Sequence, residues 1–177
     1  MEFDTLIRER RSIRQYDPNR SATAAQIREI VASAIEAPSW KNSQTARYYA
    51  VLSDEMRREF MRLCLPERNA KKAEHAALVV TTFVKETAGF TQGKPDNECA
   101  DGWGFYDLGL HNALFLLKAK ELGLDTLVMG LRDEKSIRTL LKIPQTETIA
   151  SVIAVGYAAQ PANHPPRKAP EEILTFY

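Results

Sequence analysis

"AALVVTTFV" (Ala76–Val84) runs apolar and β-branched with no polar alternation along its length. A strand that faces water on one side alternates, whereas a continuous run belongs to a strand covered on both faces. The stretch therefore predicts a central strand with helices above and below it. Upstream, "RYYAVLS" (Arg47–Ser53) is β-branched and aromatic enough for a second strand, and Met56, Phe60, Leu63 and Cys64 mark one face of a helix. Downstream comes a polar loop, "KETAGFTQGKPDNEC" (Lys85–Cys99), then a long helix from Gly102 to Leu122 with Asp101 as its cap and Gly123 as its stop. That helix is apolar nearly all round and needs burial on several sides. "TLVMG" (Thr126–Gly130), "DEKSIRTLL" (Asp133–Leu141) and "IASVIAVGY" (Ile149–Tyr157) read as strand, helix and strand, followed by the proline-rich "QPANHPPRKAPEEIL" (Gln160–Leu174).

At the N-terminal end, Phe3, Leu6 and Ile7 have the i, i+3, i+4 spacing of a short amphipathic helix. Thr23 and Gln26 have capping-box spacing, and Ile27, Ile30, Val31, Ala34 and Ile35 continue it as one apolar stripe that ends before Pro38. Nothing of low complexity divides the chain, so it reads as a single domain over residues 1–177. The expected class is α+β, with a mixed, mostly antiparallel central sheet flanked by helices.

Composition narrows the functions. Basic and acidic residues number 24 and 23, which leaves no global field to draw the chain onto nucleic acid or an acidic membrane. No apolar run reaches the ~18–20 residues of a bilayer span. Met1–Ile7 carries Glu2 and Asp4 rather than a signal peptide's basic start, which points to the cytoplasm. Cys64 and Cys99 form no C-x-x-C and read as free thiols, while His75, His111 and His164 are scattered, so no metal site is expected.

Against this neutral background, "RERRSIRQYDPNR" (Arg8–Arg20) concentrates Arg8, Arg10, Arg11, Arg14 and Arg20 around Ser12. Arginines near a helix are commonly a solvated face. Yet Arg10, Arg11, Ser12 and Arg14 also offer forked donors and a hydroxyl within one turn, as a phosphate dianion requires. "APSWKNSQ" (Ala37–Gln44) is either a plain helix stop or a loop whose backbone, with Asn42 and Gln44, reads the edge of a flat heterocycle. Asn69 and Lys72, at i and i+3, can present an amide and a cation together or simply be solvated.

Together these pieces resemble the nitroreductase family of flavin enzymes. Arg10-Arg11-Ser12, Arg14 and Tyr16 are similar to its opening R-R-S-x-R-x-[FY]; Pro38, Ser39, Asn42 and Gln44 to P-S-x-x-N-x-Q; Gly123-Leu124-Asp125-Thr126 to G-L-G-T; and "PPRKAPEEI" (Pro165–Ile173) to its closing basic, acidic run. The resemblance implies FMN, with its phosphate on Arg10, Arg11, Ser12, Arg14 and Arg167 and its pyrimidine edge facing Asn69 and Lys72. Backbone around Met129, Gly130 and Leu131 would approach the central ring, and Pro38, Ser39, Trp40 and Asn42 would reach the flavin of the partner subunit in a homodimer. Two departures stand out: Thr45-Ala46 follows Gln44 in place of Pro-Trp, and Met129-Gly130 replaces Gly-Gly.

The implied activity is an NADH- or NADPH-dependent oxidoreductase acting by a ping-pong cycle through flavin N5 on a nitroaromatic, quinone or similar conjugated acceptor, with no side chain acting as acid or base. The rival readings are other flavin chemistry on the same fold (dehalogenation or flavin destruction), an FMN-binding protein without turnover, and a nucleic-acid module using the basic N-terminal helix. Phe90, Trp103, Phe105 and Tyr106 are either a wall of the acceptor pocket or core at the start of the long helix.

Overall fold

In the computed structural model, which describes residues 2–177, the chain runs α1 (Phe3–Glu9), α2 (Ala24–Ala34), β1 (Ala46–Val51), α3 (Asp54–Cys64), α4 (Glu67–Lys72), β2 (Ala77–Val84), β3 (Phe90–Thr91), β4 (Lys94–Pro95), α5 (Gly102–Glu121), β5 (Asp125–Met129), α6 (Glu134–Leu141) and β6 (Glu147–Gly156). The main sheet has the order β1-β2-β6-β5, so β2, the unbroken apolar run, is an interior strand. Its side chains divide by period two: Leu78 and Val80 pack with Phe60, Cys64 and Ile137 of α3 and α6, while Ala77 and Val79 pack with Ile27, Ile30, Phe115 and Ala119 of α2 and α5. A strand clamped between two helical layers has no face to give to polar residues, which is why its sequence does not alternate.

All pairings among these strands are antiparallel, a stricter arrangement than the mixed sheet expected. Among the described residues the one parallel feature is a bridge between Ser12 and Thr126, where the Ile13 N–H donates to the Thr126 carbonyl at 2.9 Å. The capping box of α2 forms as its spacing predicts, with the Thr23 and Gln26 side chains satisfying each other's backbone N–H groups.

One local expectation is corrected. Asp101 makes no side-chain cap to α5; its carboxylate instead accepts the N–H of Glu86 at 2.7 Å, closing the polar loop that precedes the helix. That loop carries the short β3–β4 ladder, turned by Gln92 and Gly93 with φ of 52° and 73°. Two successive positive-φ residues are what a tight hairpin turn needs, and Gly93 supplies the freer one.

α5 lies across β2 because Gly104 lets it: a Cβ there would stand 2.3 Å from the Phe83 ring. The helix buries Leu108, His111, Phe115 and Ala119 but leaves Tyr106, Gly109 and Ala113 exposed. Among the described residues, no helix is long and apolar enough to cross a membrane.

Candidate active site

After α1 the chain turns extended at Arg10 and is held against the sheet edge by the Ser12–Thr126 and Tyr16–Ala158 bridges. Ile13 and Tyr16 point inward and are buried, whereas Arg14 is exposed and Ser12 half-buried. Tyr16 fits because Gly156 lies under its ring, where a Cβ would come within 2.8 Å. The Tyr16 hydroxyl donates toward the carbonyls of Ile13 and Ala154 at 3.3 and 3.4 Å. Burial first and the charge of Asp125 second hold that hydroxyl far above its ordinary pKa, so it remains a neutral donor that fixes the arginine segment.

Opposite this segment lies α4, whose Arg68, Lys71 and Lys72 share a face by their i, i+3, i+4 spacing. Between them is a cavity of about 590 Å³ lined by Ser12, Arg14, Arg68, Lys71, Lys72, His75 and Gln160, among others, within the range of small-molecule sites. Its charge is unbalanced. Lys72 is lowered from its ordinary pKa by partial desolvation and then by Arg68 and Arg14. A second basic group lies in the same N-terminal segment: Arg10 is lowered by burial, then by Arg11 and Arg167, and Arg11 lines a neighbouring cavity that shares Ile13, Pro161 and Ala162 with the first. Among the described residues none of these cations forms an ion pair with a carboxylate. Arg14 and Arg167 donate only to nearby backbone carbonyls. Glu74 is the one acid among the lining residues, so the cations outnumber it, and such an excess is stabilised by a bound anion.

Asn69 donates its side-chain amide to the Leu131 carbonyl at 2.9 Å, which ties α4 to the segment after β5. Met129, the last residue of β5, is buried and Gly130 after it exposed, with the Gly130 carbonyl accepting from Arg132 at 2.8 Å.

The Pro38–Asn42 stretch sits elsewhere. It ends in a 3-10 turn at Trp40–Asn42, and Lys41, Asn42 and Gln44 all have positive φ (48°, 55° and 49°) without a glycine among them. Such backbone persists only where surrounding contacts over-determine it. Here the Trp40 N–H donates to the buried Asp107 carboxylate at 2.8 Å, and the Trp40 indole N–H donates to Asp96 at 3.1 Å. Lys41 bridges to Asp96 and Thr91, and Gln44 N–H donates to Ser39 Oγ at 3.0 Å. Trp40 also packs on Trp103 with ring centroids 4.4 Å apart.

The sequence-selected residues thus fall into two places. Ser12, Arg14 and Lys72 line one cavity, Arg11 lines its neighbour, Arg10 lies near Arg11 and Arg167, and Asn69 is bonded to the Leu131 carbonyl. Pro38, Ser39, Trp40 and Asn42 belong to a separate turn and line no part of that cavity. Phe105 and Tyr106 are 51 % and 60 % exposed, Phe105 standing edge-on to the buried Phe83 and Tyr106 to Trp103, Phe90 and Trp103 are half-buried, and none of the four lines the cavity. Residues the sequence reading passed over include Arg68, Lys71, His75, Asp107 and Gln160. The helical spacing of Arg68 with Lys71 and Lys72 was a usable signal; nothing local announces that Asp107 meets Trp40.

An antiparallel four-stranded sheet between two helical layers, with a predominantly cationic cavity where the N-terminal segment meets the sheet edge, defines the class of this α+β protein. The chain belongs to the nitroreductase family, whose model matches residues 7–157. It is 24% identical over 182 residues to Protein DrgA of Synechocystis sp. PCC 6803, covering 90% of this chain and 85% of that one. A nitroreductase family protein from Streptococcus pneumoniae TIGR4 superposes with a TM-score of 0.85 at 16% identity, over 99% of this chain and all of the other. A protein from Exiguobacterium sibiricum 255-15, solved in complex with FMN, superposes with a TM-score of 0.81 at 19% identity, over 100% and 98% of the two chains.

Proposed function

We propose that this protein is an FMN-dependent oxidoreductase that takes hydride from NADH or NADPH and passes it, by a ping-pong cycle, to a nitroaromatic, quinone or similar conjugated small-molecule acceptor. The observation that carries the reading is the meeting of Ser12, Arg14 and Lys72 in one cavity from distant parts of the chain, in a member of this family. The donor set suits FMN. Arg10, Arg11, Ser12, Arg14 and Arg167 would hold its phosphate, as forked charge-assisted donors do. Asn69 and Lys72 would face the pyrimidine edge, where a cation favours an anionic ring, with the Met129-Gly130 backbone alongside. FMN in complex with the Exiguobacterium relative supports the same choice. Bound FMN would supply hydride exchange at N5; the side chains bind and orient and need neither donate nor accept a proton.

Pro38, Ser39, Trp40 and Asn42 would serve the flavin of a second copy, so the working unit is a homodimer of one-domain chains in the cytoplasm, with neither nucleic acid nor membrane as a partner. Support comes from the separation of that turn from its own chain's cavity and from the exposed Tyr106 and Ala113 on α5.

The test begins with the purified protein, which should be yellow and release FMN on denaturation. Anaerobic NADH or NADPH should bleach it, and initial-rate lines at several acceptor concentrations should be parallel. Arg14→Glu should weaken FMN by about 1.5–3 kcal/mol per lost charge-assisted contact with the fold retained; wild-type FMN affinity in that variant would overturn the assignment of Arg14.

A further inference from the structure

The FMN reading leaves part of the cavity's charge unused. Arg10, Arg11, Arg14 and Arg167 are assigned to one phosphate and Lys72 to the ring edge, yet Arg68, Lys71 and His75 line the same cavity. The one acid among its lining residues is Glu74, and it lies 4.0 Å from His75. Arg68 and Lys71 have no carboxylate partner among the described residues, and Arg68 is close enough to depress Lys72. Arg68 and Lys71 outnumber Glu74, and the remaining positive charge is of the sign that a further phosphate monoester, carrying about −1.5 to −2 near neutrality, requires.

We infer that Arg68, Lys71 and His75 form a second anion subsite, which takes the 2′-phosphate of NADPH and makes it the preferred hydride donor over NADH. Position favours this ligand. Asn69, on α4, contacts the Leu131 backbone, whereas Arg68, Lys71 and His75 are exposed and share the cavity with Gln160 and Pro161. An exposed rim suits the adenosine end of a dinucleotide, the part remote from the reacting ring. Arginine adds a planar face for the adenine beside the forked donors for phosphate. The inference rests on the flavin reading for its redox role, but the binding subsite can be tested without it.

The test is calorimetric titration of FMN-loaded protein with adenosine 2′,5′-bisphosphate and with AMP, while the flavin spectrum is followed. The bisphosphate should bind at least about tenfold tighter, a difference of ~1.4 kcal/mol, without releasing FMN. The double variant Arg68→Ala, Lys71→Ala should bring the two ligands within about twofold, because the paired charge is gone. In stopped-flow reduction of the same preparations, the wild-type protein should favour NADPH over NADH at least about tenfold, and the variant should lose NADPH efficiency while NADH stays within about twofold. Equal binding of bisphosphate and AMP, displacement of FMN by the bisphosphate, or equal loss with both nicotinamides would overturn the subsite. If the protein holds no FMN, the flavin reading falls. The titration of that flavin-free protein still decides the subsite: an Arg68- and Lys71-dependent preference upholds it, and its absence overturns it.

Discussion

The backbone N–H of Trp40 donates to the carboxylate of Asp107 across 2.8 Å, joining a strained turn to the buried face of α5, where Asp107 is 3 % exposed. Three positive-φ residues follow within that turn, so the bond fixes backbone that would otherwise relax. Asp107→Ala should therefore cost about 1.5–3 kcal/mol, the value of a hydrogen bond to a charged group. Asp107→Asn keeps an acceptor oxygen and should recover most of it. Chemical denaturation read by the fluorescence of Trp40 and Trp103 separates the two variants; equal loss in both would show that charge, not the bond, is what the turn needs.

A second expectation concerns the contact between α5 and β2. Gly104→Ala would set a methyl against the ring of Phe83, a side chain with no exposure and therefore little room to move. Overpacking of this kind costs about 1–3 kcal/mol. In a chain of this size each kcal/mol lowers Tm by roughly 2–4 °C, and a thermal melt unchanged from wild type would mean that Phe83 swings aside freely.

Much of the fold was legible because it depends on local pattern. The unbroken run from Ala76 to Val84 signalled an interior strand, and the Thr23–Gln26 spacing signalled the start of α2; both depend on neighbours within a few residues. Asp101 misled because a residue before a helix looks like a cap, while its real partner, the Glu86 N–H, is decided by how the preceding loop folds back. The site was legible in half. Arg14 and Ser12 were visible as a cluster and Lys72 as a spacing, but their meeting depends on the Ser12–Thr126 bridge and the packing of Tyr16 over Gly156. Arg68 and Lys71 were hidden by their type, since exposed basic residues on a short helix are ordinary until a second basic segment is brought opposite them.

The two thiols should behave differently. Cys99 is exposed and Cys64 buried, and Cys64 is pushed up to about 11 by burial first, then by Asp133 and Glu59. A disulfide-exchange reagent at pH 8 should label Cys99 promptly and Cys64 only on unfolding, since the thiolate is the reactive form. The same shift makes a stability statement. Between the ordinary thiol pKa and about 11 the folded state keeps a proton that the unfolded state gives up, so this contribution is full below that window and is lost as pH rises through it. Denaturation at pH 8 and near pH 10.5 should show the loss, and Cys64→Ala, though less stable throughout, should show a shallower decline. An identical decline in the variant would assign the effect to other groups.

The last expectation is assembly through α5. Tyr106 is 60 % exposed, Ala113 is exposed and Leu110 and Leu117 are half-buried; at i, i+4, i+7 and i+11 these lie along one face of a helix whose other faces are already covered by α2 and the sheet. Gly109 beside them has nothing within 4 Å of where a Cβ would stand, leaving room for another backbone to approach. An exposed apolar stripe of this length is characteristic of a protein contact, and the Pro38–Asn42 turn is anchored to the same helix through Asp107. Ala113→Glu places a charge on the stripe without touching the monomer core. In a homodimer it should shift sedimentation toward the monomer at micromolar concentration and weaken FMN in parallel, because a buried unpaired carboxylate costs more than the contact it replaces and each cavity would lose the turn supplied by its partner. A wild-type protein that sediments as a monomer while holding stoichiometric FMN would overturn both the interface and the shared site; a dimer that Ala113→Glu leaves intact would remove α5 from the interface.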